Sequence, residues 1–218
     1  MASEADAIPY EPARLRGERL LVLAPHPDDE VIGCGGVVAQ HLREGRSVRV
    51  VIATDGAQAG DAASREEESR RSFSIMEGRT PSSAHAADAA LSRSRADEGG
   101  RPSEIIFLRF ADRSLGPAIA DPLREILNDF KPDLILAPSP IEIHPDHLAL
   151  ASEFCALIQR DPALHADLAV ARVAFYEVGQ PLRPNAIVDI TDVADAKYAA
   201  IAAHESLASS LASPSDGG

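Results

Sequence analysis

Along this chain, short and almost wholly aliphatic runs alternate with segments of helical period. Residues 20–24, 48–53, 105–110 and 134–137 form such runs, the pattern expected of strands buried on both faces of a sheet. Between them the period lengthens. Residues 37–43 lead into Glu44-Gly45, which reads as the glycine C-cap of a helix. Residues 64–76 read as a heavily charged helix, and residues 122–130 as a helix stopped by Lys131-Pro132. In residues 146–159 the apolar positions Leu148, Leu150, Ala151, Phe154, Leu157 and Ile158 recur at spacings near three and four, which predicts a helix. Residues 170–178 and 186–190 read as two further strands, and residues 193–204 as a last helix.

This alternation predicts an α/β fold, a Rossmann-like three-layer arrangement around a mostly parallel sheet. Ligands in such folds bind outside the carboxyl ends of the strands, near the point where strand order reverses. Residues 1–205 read as one domain. Within it, residues 78–103 are rich in Ala, Ser, Arg and Gly, lack an apolar period, and read as a flexible surface insert. The low-complexity stretch 206–218 reads as a disordered tail.

Composition narrows the function classes. A chain of 218 residues, 45% hydrophobic, buries a full core without staples, and with no Trp and only 4% aromatics that core is aliphatic. The net charge of −13 argues against nucleic acid and against an anionic membrane surface, since both recruit Lys and Arg. Cys34 and Cys155 stand far apart in no CxxC pattern, so both read as small apolar residues in a reducing compartment. The first residues lack the basic and apolar regions of a signal peptide, and no apolar run approaches the ~20 residues of a membrane span. The expected location is the cytoplasm.

Two polar clusters interrupt the pattern where a ligand is expected. The first, P-H-P-D-D-E at residues 25–30, follows the run 20–24 directly. An acid near a helix start gains about 0.3–1 kcal/mol from the helix dipole. That explains one carboxylate, but not Asp28, Asp29 and Glu30 in succession beside His26. A divalent cation among them removes their repulsion. The second cluster, I-E-I-H-P-D-H at residues 141–147, follows the run 134–137 and opens a helix, with Pro145 suited to an early helical position. His144 and His147 are three apart and can face one point from a loop-to-helix corner.

Imidazoles plus a carboxylate make the ligand set of a catalytic zinc site, which has three protein ligands and a fourth position for water. His26, Asp29 and His147 would make such a set. Asp28 is then free as general base, and His144 is free to stabilise an oxyanion or protonate a leaving group. Glu30 is left as a helix-start residue or a support behind the ligands. This arrangement describes hydrolysis of an amide or ester. A second reading is a magnesium-dependent phosphoester hydrolase with the metal on Asp28, Asp29 and Glu30, although two histidines favour zinc. A third is a catalytically inactive sugar- or metal-binding domain. Gly33, Gly35 and Gly36 do not form the GxGxxG turn of a dinucleotide site. His41 sits late on a helix, where the dipole favours its charge, His165 reads as a loop residue, and His204 lies at a helix end.

Residues 25–30 together with H-P-D-H at 144–147 resemble the PIG-L/LmbE-like N-deacetylases. These are zinc-dependent hydrolases that remove acetyl groups from N-acetylglucosamine-type sugars on lipids, thiol conjugates, antibiotics and glycans. Thr54-Asp55-Gly56, the Arg/Glu helix at residues 65–68, F-L-R-F-A-D at 107–112, V-D-I at 188–190, Lys197 and H-E-S at 204–206 are similar to further stretches of the family. The resemblance implies one zinc ion, or ferrous iron, on His26, Asp29 and His147. It implies Asp28 as general base, His144 at the tetrahedral intermediate and Asp146 orienting an imidazole. It also implies Arg65 and Asp112 as sugar contacts, a salt bridge or turn role being the alternative for each. The substrate it implies is a small molecule or glycoconjugate. The chain departs from the family at Glu142, where some members carry a tyrosine two residues before the first histidine of H-P-D-H; Tyr176 is the candidate replacement. It departs again in reading H-E-S-L where the family has H-x-S-Q.

Overall fold

The computed structural model describes residues 12–79 and 103–206. What was expected of the insert and the tail falls, for residues 80–102 and 207–218, outside the described residues. The strands are β1 (Arg19–Ala24), β2 (Ser47–Thr54), β3 (Glu104–Phe110), β4 (Leu134–Pro138) and β5 (Arg172–Tyr176). They form one sheet in the order β3-β2-β1-β4-β5, and every neighbouring pair is parallel. The helices are α1 (Asp29–Arg43), α2 (Ala62–Met76), α3 (Ala120–Phe130), α4 (Pro145–Arg160), α5 (Pro162–Asp167) and α6 (Ala194–Ala202).

The unbroken apolar runs follow from this layering. Leu20, Val22 and Ala24 of β1 enter a core shared with Val31 and Val38 of α1, Phe73 and Met76 of α2, and Ala200 of α6. Leu21 and Leu23 point the other way, into a core with Leu123 and Leu127 of α3, Leu150 and Phe154 of α4, and Leu164 of α5. Alternate side chains of a strand face opposite sides, so a strand covered on both faces needs apolar residues at every position. The helix α1 lies unusually close to its neighbours. A Cβ at Gly36 would stand 2.4 Å from Ile190 Cγ2, and one at Gly33 would stand 2.3 Å from the Tyr176 ring. Those glycines allow close packing instead of forming a phosphate turn.

Strand order reverses between β1 and β4. The chain runs outward from β1 through β2 to β3 on one side and from β4 to β5 on the other. The loops leaving β1 and β4 therefore diverge and open a crevice at the carboxyl end of the sheet. Pairing of Leu20 with Leu134 and Val22 with Leu136 sets those two loops side by side.

Four expectations change. Residues 186–190 form no strand; Val188 makes an isolated parallel bridge to Ala13. The D-P-A-L-H segment is helix α5, started by Asp161, whose carboxylate accepts the Leu164 N–H. The helix expected at residues 193–204 is α6, preceded by a 3-10 turn at Thr191–Val193. His41 is buried, its Nδ1 donating to Val37 O at 2.8 Å, and burial lowers its pKa, so it is neutral and does not serve the helix dipole. Both cysteines are free.

Candidate active site

The loop from β1 into α1 turns sharply enough to force Asp28 into the left-handed region, at φ 115. Only a few per cent of non-glycine residues adopt positive φ, and holding one there costs of order 1–3 kcal/mol. Contacts from two sides fix it. The Asp28 N–H donates to Glu30 Oε2 at 2.9 Å. Arg65 of α2 donates through Nη2 to Pro27 O (2.5 Å) and Asp28 Oδ2 (2.9 Å), and through Nη1 to Gly56 O (2.8 Å). Gly56 itself has φ +62, and a Cβ there would lie 2.4 Å from Arg65 Nη1. The Thr-Asp-Gly turn thus seats the guanidinium. Arg65 is buried, with both terminal nitrogens on protein oxygens, so it supports Asp28 in the salt-bridge role given as the alternative to a sugar contact.

Three candidate ligands meet at one point. His26 Nδ1 lies 3.2 Å from Asp29 Oδ2 and 3.2 Å from His147 Nε2, and His147 Nε2 lies 3.1 Å from Asp29 Oδ2. Zinc bonds of about 2.0–2.1 Å in a tetrahedron require donors roughly 3.3–3.4 Å apart. The triangle fits to within a few tenths of an ångström. The Asp29 carboxylate is fixed further by the His26 N–H at 3.0 Å. Burial pushes the Asp29 pKa up, but the two imidazoles outweigh it and hold the group ionised, well below the usual carboxylate range.

Behind His26 stands a pair of acids. Its Nε2 is 3.0 Å from Asp146 Oδ2 and 3.3 Å from Asp112 Oδ1. A carboxylate on Nε2 holds the proton there and leaves the Nδ1 lone pair aimed at the triangle. Burial lowers the His26 pKa, but Asp29, Asp146 and Asp112 together raise it to about 9, so the metal-free ring carries a proton on Nδ1 as well, and a bound cation would displace that proton to use the lone pair. Asp146 also accepts the N–H groups of Arg113 (2.6 Å) and Leu115 (3.1 Å), and Asp112 accepts that of Gln58 (3.1 Å), so both acids also tie down loops. Asp112 is therefore engaged beside His26.

Asp28 and His144 flank the triangle. Burial and the charge of Asp29 push the Asp28 pKa up, Arg65 and His26 pull it back, and the result is about 7. Burial, with Asp28, raises Glu30 to about 8. His144 caps α4, its Nδ1 accepting the Asp146 N–H at 3.3 Å. An accepting Nδ1 puts the proton of the neutral ring on Nε2. Burial, together with His26 and His147, lowers the pKa and favours that neutral form. Its ring meets that of His26 edge-on, centroids 4.6 Å apart. Wider donor groupings are also present, one of His26, His144 and His147 and one of His26, Asp112, His144 and Asp146, each with ligand atoms within 4.8 Å.

Two residues behave differently from expectation. Tyr176 does not enter the site: its hydroxyl donates to Leu23 O at 2.7 Å within the core. Glu142 is buried, and its carboxylate accepts the backbone N–H groups of Val178, Gly179 and Gln180 at 2.8, 3.1 and 3.3 Å.

Known proteins similar to this chain include deacetylases of acetamido sugars. A diacetylchitobiose deacetylase of Thermococcus kodakarensis is 28% identical over 211 residues, covering 87% of this chain and 70% of the relative. A probable N-acetyl-alpha-D-glucosaminyl L-malate deacetylase of Bacillus subtilis is 27% identical, covering 86% and 82%. The solved structure of N,N'-diacetylchitobiose deacetylase from Pyrococcus horikoshii superposes with a TM-score of 0.65 at 26% identity, covering 92% of this chain and 72% of that one. The PIG-L family, described as GlcNAc-PI de-N-acetylase, matches residues 21–158, a span that runs from β1 through both polar clusters into α4. The chain belongs to the PIG-L (LmbE-like) family.

Proposed function

We propose that this chain is a metal-dependent N-deacetylase that hydrolyses the acetamide of an N-acetylglucosamine-type sugar conjugate to acetate and a free amine. The observation that carries the reading is the donor triangle of His26, Asp29 and His147 with the Asp28 carboxylate beside it. Two imidazoles and one carboxylate suit zinc or ferrous iron better than magnesium, which prefers an all-oxygen shell. When bound, such an ion supplies Lewis acidity, polarising the amide carbonyl and lowering the pKa of a water.

The remaining steps belong to the protein. Asp28, oriented by Arg65, takes the proton of the attacking water and returns it to the departing amine. His144, neutral and protonated on Nε2, donates to the oxyanion of the tetrahedral intermediate. Asp146 and Asp112 hold the His26 proton on the side away from the ligand. The two deacetylase relatives differ in what the sugar is attached to and share the acetamido sugar, which supports that group as the part recognised here.

The test is metal analysis of the purified protein combined with an assay of acetate release from diacetylchitobiose and other N-acetylglucosaminides. Stoichiometric metal and release of acetate that stops with a chelator and returns with zinc are expected. A folded protein that takes up no zinc, or that holds zinc and leaves every acetamido sugar intact, sinks the reading.

A further inference from the structure

His147 presents one ring nitrogen to the donor triangle and the other to the protein interior. Nε2 makes the contacts of 3.1 and 3.2 Å with Asp29 and His26, so its lone pair serves a metal only when the ring proton sits on Nδ1. Nδ1 is buried and has no hydrogen-bond partner. The carboxylate facing it is that of Glu142, with Oε2 at 3.8 Å, less than about 1 Å beyond hydrogen-bond range. Oε1 of the same carboxylate gathers the N–H groups of Val178, Gly179 and Gln180 in the loop after β5, and Oε2 shares the Gly179 N–H at 3.2 Å. A Cβ at Gly179 would come within 3.1 Å of Oε2, so that loop packs tightly on the acid.

We propose that Glu142 is a positioning residue with two faces: Oε1 carries most of the fastening of the loop after β5, and Oε2, which shares only the Gly179 N–H with that loop, holds the proton of His147 on Nδ1, keeping Nε2 free to bind metal. The inference rests on the metal site assigned under the proposed function. His26 and His147 then have the same construction, a ligating nitrogen in front and a carboxylate behind, although their acids come from different places. Asp146 and Asp112 stand behind His26, and Glu142 stands behind His147. The Glu142 link also joins three segments: the loop after β4, the first turn of α4 and the loop after β5.

Glu142→Gln separates the two faces. The amide oxygen in place of Oε1 still accepts the three loop N–H groups, while the amide nitrogen in place of Oε2 gives up only the shared Gly179 N–H and presents a donor to Nδ1. That favours the proton on Nε2, the tautomer that cannot ligate. The measurements are the zinc dissociation constant by chelator competition, the thermal midpoint without metal, and the imidazole 15N resonances of His147 in the zinc-loaded protein. The expected result is a metal-free midpoint close to wild type, zinc affinity weakened about 10–100-fold, and a shifted Nδ1 resonance. Glu142→Ala is expected to lose affinity and to lower the midpoint as well, because the loop is also released. Wild-type zinc affinity with unchanged His147 resonances in Glu142→Gln overturns the proposal, and so does a loss of affinity matched by an equal loss in the midpoint. A wild-type protein that takes no zinc is a separate outcome and overturns the parent reading.

Discussion

At the scale of single residues, the site is an exercise in assigning protons. Burial and the charge of Asp29 raise the Asp28 pKa to about 7 against the pull of Arg65, while Asp29 itself stays ionised between two imidazoles. Replacing Asp28 by Asn is expected to keep the backbone turn and the candidate ligands while removing the proposed base. Acetate release is expected to fall about 10²–10⁴-fold with zinc content unchanged, as measured by steady-state kinetics and metal analysis. Away from the site, His41 gives a clean pH effect. Its folded pKa lies below the ordinary value of about 6.5, so between the two the unfolded chain binds the extra proton and stability falls as pH drops. His41→Leu is expected to lose less stability between pH 7 and pH 5 than wild type in urea titrations. His26, Asp29 and His147 were legible in the sequence as residues that meet, because each cluster follows an apolar run that delivers it to one end of the sheet. Glu142 was legible only as a missing tyrosine. Burial reverses the usual pattern there: Ile141 and Ile143 are 58% and 78% exposed, while the acid between them is 4% exposed. A pattern rule that sends apolar residues inward reads such a segment backwards.

At the scale of elements, the fold was read well where the period was strong. The central strands and α4 stand where the apolar pattern placed them, since their faces meet cores on known sides. Short elements at the sheet's edge were less legible. Helix α5 is six residues long, started by an Asp cap and Pro162 rather than by an apolar stripe, and residues 186–190 carry the strand composition without a partner strand. The glycines of α1 offer a test of packing at this scale. Gly36→Ala places a methyl group 2.4 Å from Ile190 Cγ2, which forces the helix and the 190 segment apart. A destabilisation of about 1–3 kcal/mol is expected in urea unfolding. Because Asp29 opens the same helix, zinc affinity is expected to fall in the variant as well.

At the scale of the whole molecule, the candidate site is held by loops from both sides of the strand-order reversal, so binding of the proposed metal would be coupled to folding. A ligand that binds only the folded chain stabilises it by about 2.7 kcal/mol at 100 times its dissociation constant. For a chain of this size that corresponds to roughly 5–10 °C in the thermal midpoint. Adding zinc to metal-free protein is expected to raise the midpoint by such an amount, and His147→Ala is expected to abolish the rise. Differential scanning calorimetry with and without chelator measures both.

The pairing of β1 with β4 has one more consequence. His26 and His147 are 121 residues apart, and only that pairing brings them together. During synthesis at ~5–20 residues per second, roughly 6–24 s pass between the appearance of the first histidine and the second. Throughout that interval the nascent chain exposes an incomplete set of ligands. For the proposed metal site, the three ligands can therefore act together only once His147 has left the ribosome and β4 has paired with β1.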